Sequence, residues 1–157
     1  QLYIKQQVNA QIGSIYYLKR DFNEALPYLE KAFVRHWVAM SMLAISYMKK
    51  SKPQKMAATF EKATSAAKKE PLVWALYAFC LDKSGEHTKA ISILEKGLKK
   101  NPGCEELIQN LELLQAGNKM KMKVFGDMWY QFHLEKPGAI IKKQTKAMTG
   151  RRKMVVR

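Results

Sequence analysis

One four-residue pattern occurs three times in this chain of 157 residues and limits what the chain can fold into. The pattern is a large apolar residue, Glu, Lys and a small residue. Its copies begin at Leu29, Phe60 and Leu94, 31 and then 34 residues apart. A recurrence at this period is typical of repeat arrays, in which each supersecondary unit stacks on the next. The repeat therefore determines the architecture more than any single segment does.

The agreement between the three units extends upstream of the repeated pattern. Each unit has a small residue followed three positions later by a larger one: Gly13 and Tyr16, Ala44 and Tyr47, Ala78 and Leu81. Positions three apart lie on the same helical face, and a small residue there lets two helices cross closely. Ala25, Leu29 and Ala32 have the spacing of an inward-facing helical stripe. Each unit is therefore predicted to be a pair of helices.

These positions resemble the tetratricopeptide repeat, whose pattern is W-x2-L-G-x2-Y, then A-x3-F, then P. The resemblance covers residues 6–104, and Trp74 supplies the tryptophan of the third unit. The chain departs from the pattern at Asn9 and Met40, where tryptophan is preferred, and at Gly97, where alanine is. The first unit is also three residues short and lacks the terminal proline.

The resemblance implies an all-α fold, a right-handed superhelical solenoid of about three helix hairpins with a capping helix and a basic C-terminal tail. The expected boundaries are 6–36, 37–70 and 71–104 for the three repeats, 105–118 for the capping helix and 119–157 for the tail. No strand-like alternation of apolar and polar residues occurs. Asp21 and Ser51 are predicted N-caps of the second helices, and Pro53 suits a first helical turn.

The composition favours a packed domain without a membrane span. Hydrophobic residues make up 47% of the chain, too many for a disordered protein. The longest apolar runs, such as Leu72 to Leu81, are well short of the roughly 18 residues that a membrane span needs, and no signal peptide is visible. A cytoplasmic location is expected, and a membrane is not expected as a partner. Because the sequence starts at Gln1 without a methionine, a preceding anchor would escape this interpretation.

No motif for catalysis or cofactor binding is found, so the chain is expected not to be an enzyme and to need no cofactor or metal. His36, His87 and His133 are far apart and match no metal-ligand spacing with either cysteine. Phosphate-binding glycine loops, nucleophile elbows and HExxH sequences are absent. Cys80 lies in an apolar helical run, where we expect a buried thiol.

In tetratricopeptide arrays the first helix of each unit lines a concave groove, and the resemblance implies one here. A subclass of the family binds C-terminal carboxylates through Lys, Asn and Arg, and those positions are here Ala10, Ser14, Met42, Leu72 and Leu76. That clamp is absent. The expected partner contacts are instead mostly apolar, with two lysines at the rim: Tyr17, Val38, Ile45, Met48, Leu72, Phe79, Lys49 and Lys83. An apolar groove marks an interaction surface; the alternative is that these residues are core between paired helices.

The tail combines apolar residues that belong to no repeat with a high positive charge. Residues 119–157 contain 11 Lys or Arg against two acids, a net charge of +9 within the total of +15. Phe125 and Trp129 fall at helical spacing, as do Val124, Met128 and Phe132. We expect Phe125, Trp129 and Phe132 to fill the groove, either of the same chain or of a neighbouring chain, so a homo-oligomer formed by tail exchange is open.

Two functions are favoured by these features over a third, an adaptor at an anionic membrane surface that the basic residues would contact. The first is a non-catalytic scaffold that binds a peptide or helix of another protein, or a C-terminal tail, in an apolar concave groove. The alternative is a nucleic-acid or ribonucleoprotein-associated adaptor, in which tail aromatics stack on bases and basic residues, including Arg151, Arg152 and Lys153, neutralise phosphates. A steep loss of nucleic-acid affinity with rising salt would favour the alternative.

Overall fold

In the computed structural model, residues 2–137 are described. Seven helices of nine residues or more follow one another in this part of the chain: α1 (Leu2–Leu18), α2 (Phe22–Glu30), α3 (Trp37–Lys49), α4 (Pro53–Ala66), α5 (Pro71–Lys83), α6 (His87–Lys100) and α7 (Glu105–Gln115). A 3-10 turn (Met122–Phe125) and the short helix α8 (Asp127–Tyr130) complete it. No strand occurs between residues 2 and 137. The predicted all-α helical-repeat fold is confirmed.

The helices pack as three hairpins, α1 with α2, α3 with α4 and α5 with α6, and α7 packs mainly on α6. Successive hairpins stack on one another. Helix α1 contacts α3 and α3 contacts α5, while α2 contacts α3 and α4 contacts α5. One hydrophobic core extends from Ala10 in α1 to Leu114 in α7 and on to Phe132. None of the helices between residues 2 and 137 combines the length and hydrophobicity that a bilayer crossing requires.

The three hairpin loops share one backbone conformation. The second residue of each three-residue loop has a positive φ: Arg20 (67°), Ser51 (58°) and Gly85 (85°). The next amide donates to a carbonyl five residues back: Asp21 to Tyr16 (2.9 Å), Lys52 to Tyr47 (2.9 Å), and Glu86 to Leu81 (2.8 Å). This is the Schellman motif, which satisfies the last carbonyls of a helix. The chain therefore reverses direction in the same way in every unit.

This loop geometry corrects one of the two predicted N-caps. Ser51 is not the N-cap of α4, because it occupies the left-handed position of the loop, and Lys52 is the residue that precedes the helix. Asp21 does lie at the N-cap of α2, although its side chain makes no capping hydrogen bond. Pro53 stands in the first turn of α4, as predicted.

Small residues lie where helices approach most closely. A Cβ added at Gly13 would lie 2.8 Å from Leu29 Cδ2 and 3.0 Å from the Leu29 backbone nitrogen, so α1 and α2 cross closely at this glycine. A Cβ at Gly97 would lie 2.7 Å from the Cβ of Trp74, which belongs to α5. The third unit has glycine in place of alanine because its tryptophan fills the space that an alanine methyl group would take.

Gly97→Ala is expected to lower the free energy of unfolding by about 1–2 kcal/mol. The overlap with Trp74 costs about 1–3 kcal/mol, and the better helix propensity of alanine offsets part of it. Urea unfolding of the variant beside Ser92→Ala, an exposed position on the same helix, checks this. A Gly97→Ala protein as stable as the Ser92→Ala protein would contradict the close contact.

Candidate partner-binding groove

Helices α1, α3 and α5 are the first helices of the three hairpins, and we call them the inner helices. Every residue of α3 from Ala39 to Tyr47 is buried, and so is every residue of α5 from Leu72 to Ala78. A helix with a solvent-exposed face has polar residues on it, whereas a helix that is apolar all round is buried. The inner helices α3 and α5 are therefore covered on the side that faces away from their partner helices.

The inner helices are contacted by residues 119–134, which we call the C-terminal segment. The hydroxyl of Tyr17 in α1 donates to the carbonyl of Phe132 over 2.5 Å. Both side chains are fully buried, and burial raises the pKa of the Tyr17 hydroxyl well above its ordinary range. The phenol therefore stays protonated and acts as a donor. This hydrogen bond joins the first helix of the chain to a residue 115 positions later.

The side chain of Trp129 is the largest that is fully buried in the described chain. Its ring meets the ring of Phe79 in α5 edge to face, with centroids 4.8 Å apart and planes at 72°. The indole Nε1–H donates to Glu135 over 3.2 Å, so the polar atom of the buried ring is paired. Edge-to-face pairs of this kind add about 0.5–1.5 kcal/mol to the effect of burial.

His133 contacts the C-terminal end of α1. Its ring stacks on Tyr17, with centroids 5.7 Å apart, and its Nε2–H donates to the carbonyl of Leu18 over 3.1 Å. The residue has a positive φ of 55°, which turns the chain back at this point. Partial burial lowers the pKa of the imidazole; the Leu18 carbonyl raises it, and the positive charges of Arg20 and Lys49 lower it. The net shift is downward from 6.5, so the ring is mainly neutral at pH 7.

Asn110 in α7 holds the start of the C-terminal segment, a role that is not among the sequence predictions. Its Oδ1 accepts from the backbone N–H of Lys121 over 2.7 Å. Its Nδ2 donates to the carbonyls of Glu106 (2.8 Å) and Lys121 (3.3 Å). The side chain is fully buried with its polar atoms paired. A polar residue on the apolar face of α7, between Leu107 and Leu114, is the signal that could have revealed it.

The residues predicted to contact a partner lie at different depths. Tyr17, Ile45 and Leu72 are buried, Val38, Met48 and Phe79 are half-buried, and Lys49 and Lys83 are exposed. In the tail, Trp129 and Phe132 are buried and Phe125 is half-buried. The structure brings together Tyr17 with Phe132, Phe79 with Trp129, and Leu72 with Phe125. Arg151, Arg152 and Lys153 lie outside the described residues.

The C-terminal segment is not the continuous helix that its apolar spacing indicates. Gly126, with a φ of 67°, separates the 3-10 turn from α8. Val124 and Met128 are consequently exposed, at 38% and 46%, while Phe132 is fully buried. The residues that share a helical spacing therefore do not share a face.

The ends of α3 and α5 form a cationic rim beside the segment. Lys49, Lys83 and His133 line a cleft of about 340 Å³ together with Met48, Ser84 and Leu134. The Lys49 ammonium lies 4.0 Å from the centroid of the Phe22 ring. Partial burial lowers the pKa of Lys49, and the positive charges of Arg20 and Lys83 lower it further. Several cations therefore converge on one small surface.

The described residues include no group of three or more His, Cys, Asp or Glu side chains placed to hold a metal ion. Cys80 is fully buried, as predicted, and burial raises the pKa of its thiol to about 12. Since the thiolate is the reactive form, this cysteine is unreactive at neutral pH. The contacts described above are consistent with binding by shape and apolar burial.

Tyr17→Phe is expected to lower the free energy of unfolding by about 1–3 kcal/mol, because the Phe132 carbonyl would lose its donor in a buried environment. Tyr16→Phe is the matched control: Tyr16 is half-buried, and its hydroxyl makes no hydrogen bond within residues 2–137. Urea unfolding of both variants measures the difference. Equal stability of the two would show that the hydrogen bond to the segment contributes nothing.

Comparison with known families agrees with the repeat pattern. A family model described as tetratricopeptide repeat matches residues 47–114, which extend from the end of α3 to α7. A second model of the same description matches residues 6–33, which include most of α1 and all of α2. No curated protein matches the chain. The chain belongs to the tetratricopeptide repeat family.

Proposed function

We propose that this protein is a non-catalytic scaffold whose apolar concave groove is occupied by its own C-terminal segment, and that partners bind to the surface of the filled solenoid. Tetratricopeptide repeats are protein–protein interaction scaffolds. The observation that supports the finer proposal is the pairing of the buried Tyr17 hydroxyl with the buried Phe132 carbonyl. A hydrogen bond at this depth is a feature of folded core.

The segment is attached in a way that favours occupation within one chain. Gly117, with a φ of 79°, ends α7 in the same Schellman geometry as the hairpin loops, and the Asn118 amide donates to the Leu113 carbonyl over 2.8 Å. Asn110 of the same helix then holds the backbone of Lys121. The segment therefore begins beside the groove that it fills. Exchange with a neighbouring chain that began at this tether would break these contacts, so we expect a monomer by size-exclusion chromatography with light scattering.

An external peptide would compete poorly for the same groove. A short tether gives an intramolecular ligand an effective concentration in the millimolar range. Burial of each large apolar side chain contributes about 1.5–3 kcal/mol, and both Trp129 and Phe132 are fully buried. A partner in the groove would have to replace both residues. The surface at the rim of the groove needs no such displacement.

Complementation between two pieces of the chain tests the proposal. A chain that ends at Asn118 should bind a synthetic peptide of residues 119–137 and recover melting temperature and helical circular dichroism. The intact protein should show no saturable binding of the same labelled peptide, because its groove is already filled. A peptide with Trp129→Ala and Phe132→Ala is the control and should not rescue the shortened chain. Rescue by the control peptide, or saturable binding to the intact protein, would contradict the proposal.

Nucleic-acid binding remains a separate proposal that rests on the net charge of +15. Two of the tail aromatics that were expected to stack on bases, Trp129 and Phe132, are fully buried. Binding to nucleic acid would then depend on the basic residues, and the affinity would be mostly electrostatic. A titration with an oligonucleotide at two salt concentrations tests this, since phosphate contacts weaken steeply as salt rises.

A further inference from the structure

The cleft at the ends of α3 and α5 is lined by cationic side chains that have no role in the proposed occupation of the groove. The Lys49 and Lys83 side chains line it from two helices, and His133 and Leu134 line it from the C-terminal segment. Arg20 lies close enough to lower the pKa of both Lys49 and His133. The cluster thus combines groups from the first hairpin loop, two inner helices and the segment.

These cations have no acidic partner in the described part of the chain. The ion pairs between residues 2 and 137 join His87 to Asp82 and Lys89 to Glu86, and neither involves Arg20, Lys49 or Lys83. A lysine in the last turn of a helix is favoured by the helix dipole, which accounts for Lys49 and Lys83 one at a time. It does not account for the convergence of Lys49 and Lys83 on one cleft, next to His133 and with Arg20 nearby.

The surroundings of the cleft limit the kind of anion that fits. Met48 and Leu134 give it apolar walls, and the Ser84 hydroxyl adds a hydrogen-bonding group. The adjoining cleft shares Lys83 and Leu134 but also contains Asp82 and Glu135. A long polyanion such as a nucleic acid would be repelled as it extended past these carboxylates. A polypeptide can place an acidic side chain beside the cations and neutral or basic ones beyond.

We propose that the cleft formed by Lys49, Lys83, Ser84, Met48, His133 and Leu134 binds acidic side chains of a partner polypeptide. This inference rests on the proposed function, because His133 and Leu134 line the cleft only when the C-terminal segment occupies the groove. The positions differ from those of the family's carboxylate clamp, which here are Ala10, Ser14, Met42, Leu72 and Leu76. The Lys49 ammonium is held over the Phe22 ring, so the site is partly organised before a ligand arrives.

Calorimetric titration of the intact protein with hexaglutamate tests the site, with hexaglutamine as the neutral probe. The double variant Lys49→Gln, Lys83→Gln should bind hexaglutamate about tenfold more weakly, the effect of losing charged contacts worth about 1.4 kcal/mol. Lys50→Gln, Lys99→Gln has the same net charge and changes exposed lysines at the ends of α3 and α6. It should bind as the wild type does, and hexaglutamine should not bind.

Proton NMR of the histidine rings gives a second measurement on the same protein. Hexaglutamate should raise the pKa of His133, since a bound carboxylate stabilises the imidazolium form, while the ring signals of His36 should not move. Equal weakening in the two double variants, an unmoved His133 signal, or tighter binding of oligothymidylate at the same lysines would overturn the proposal. Melting curves and binding of the peptide of residues 119–137 test the groove independently of the cleft. A failure of the cleft with an intact groove is thereby distinguished from a failure of the proposed function.

Discussion

A chain that ends at Asn118 is expected to lose about 5 kcal/mol or more of its free energy of unfolding relative to the full chain. The lost residues include Met122, Trp129 and Phe132, all fully buried. Each large apolar side chain contributes about 1.5–3 kcal/mol through burial. The shortened chain also loses the partner of the Tyr17 hydroxyl and both backbone partners of Asn110 at Lys121. Urea unfolding and thermal melting measure the loss.

A chain that ends at Pro137 is the matched control for this truncation. It removes seven of the 11 basic residues of the tail, yet it keeps every contact between the segment and the inner helices. We expect it to melt close to the full chain. The Asn118 chain should in addition bind a hydrophobic dye, because the inner faces of α3 and α5 become exposed. Two truncations with the same melting temperature and dye binding would contradict the role of the segment.

The repeat architecture could be predicted because its physical causes are local and recur. The spacing of Gly13 and Tyr16, and its equivalents, specifies a helix pair in each unit, and family models match both the first hairpin (residues 6–33) and residues 47–114. Gly97 looked like a departure from the pattern. The glycine is explained by Trp74, which lies 23 residues earlier in the chain. A Cβ added at Gly97 would lie 2.7 Å from the Cβ of Trp74. A contact between two helices is not readable from either helix alone.

The groove was harder to predict than the fold for two reasons. A covered helix and a helix with an apolar binding face have similar sequences, so Ile45 and Leu72 alone could not distinguish an open groove from a filled one. The conformation of the segment was also misread from its spacing, because one residue, Gly126 with a φ of 67°, interrupts the helix. Asn110 is recognisable as a polar residue on the apolar face of α7, but its partner is not, because a backbone group such as the Lys121 N–H leaves no pattern in the sequence.

Trp129→Ala is the single substitution in the segment from which we expect the largest effect, a loss of about 3–5 kcal/mol. The change removes a fully buried ring and its edge-to-face contact with Phe79. Trp129→Phe should lose less, since a smaller ring can keep the contact with Phe79 while the hydrogen bond to Glu135 disappears. Met128→Ala is the neighbouring control. Its side chain is 46% exposed, so a change within about 0.5 kcal/mol is expected.

Urea unfolding of the three variants decides whether the segment is part of the core or only rests on it. A core role gives the order Trp129→Ala, Trp129→Phe, Met128→Ala from the largest loss to the smallest, with a similar dependence on urea concentration in each. If Trp129→Ala were no less stable than Met128→Ala, the ring would contribute nothing to folding. The segment would then be a displaceable occupant of the groove, and a partner could reach the inner helices at little cost.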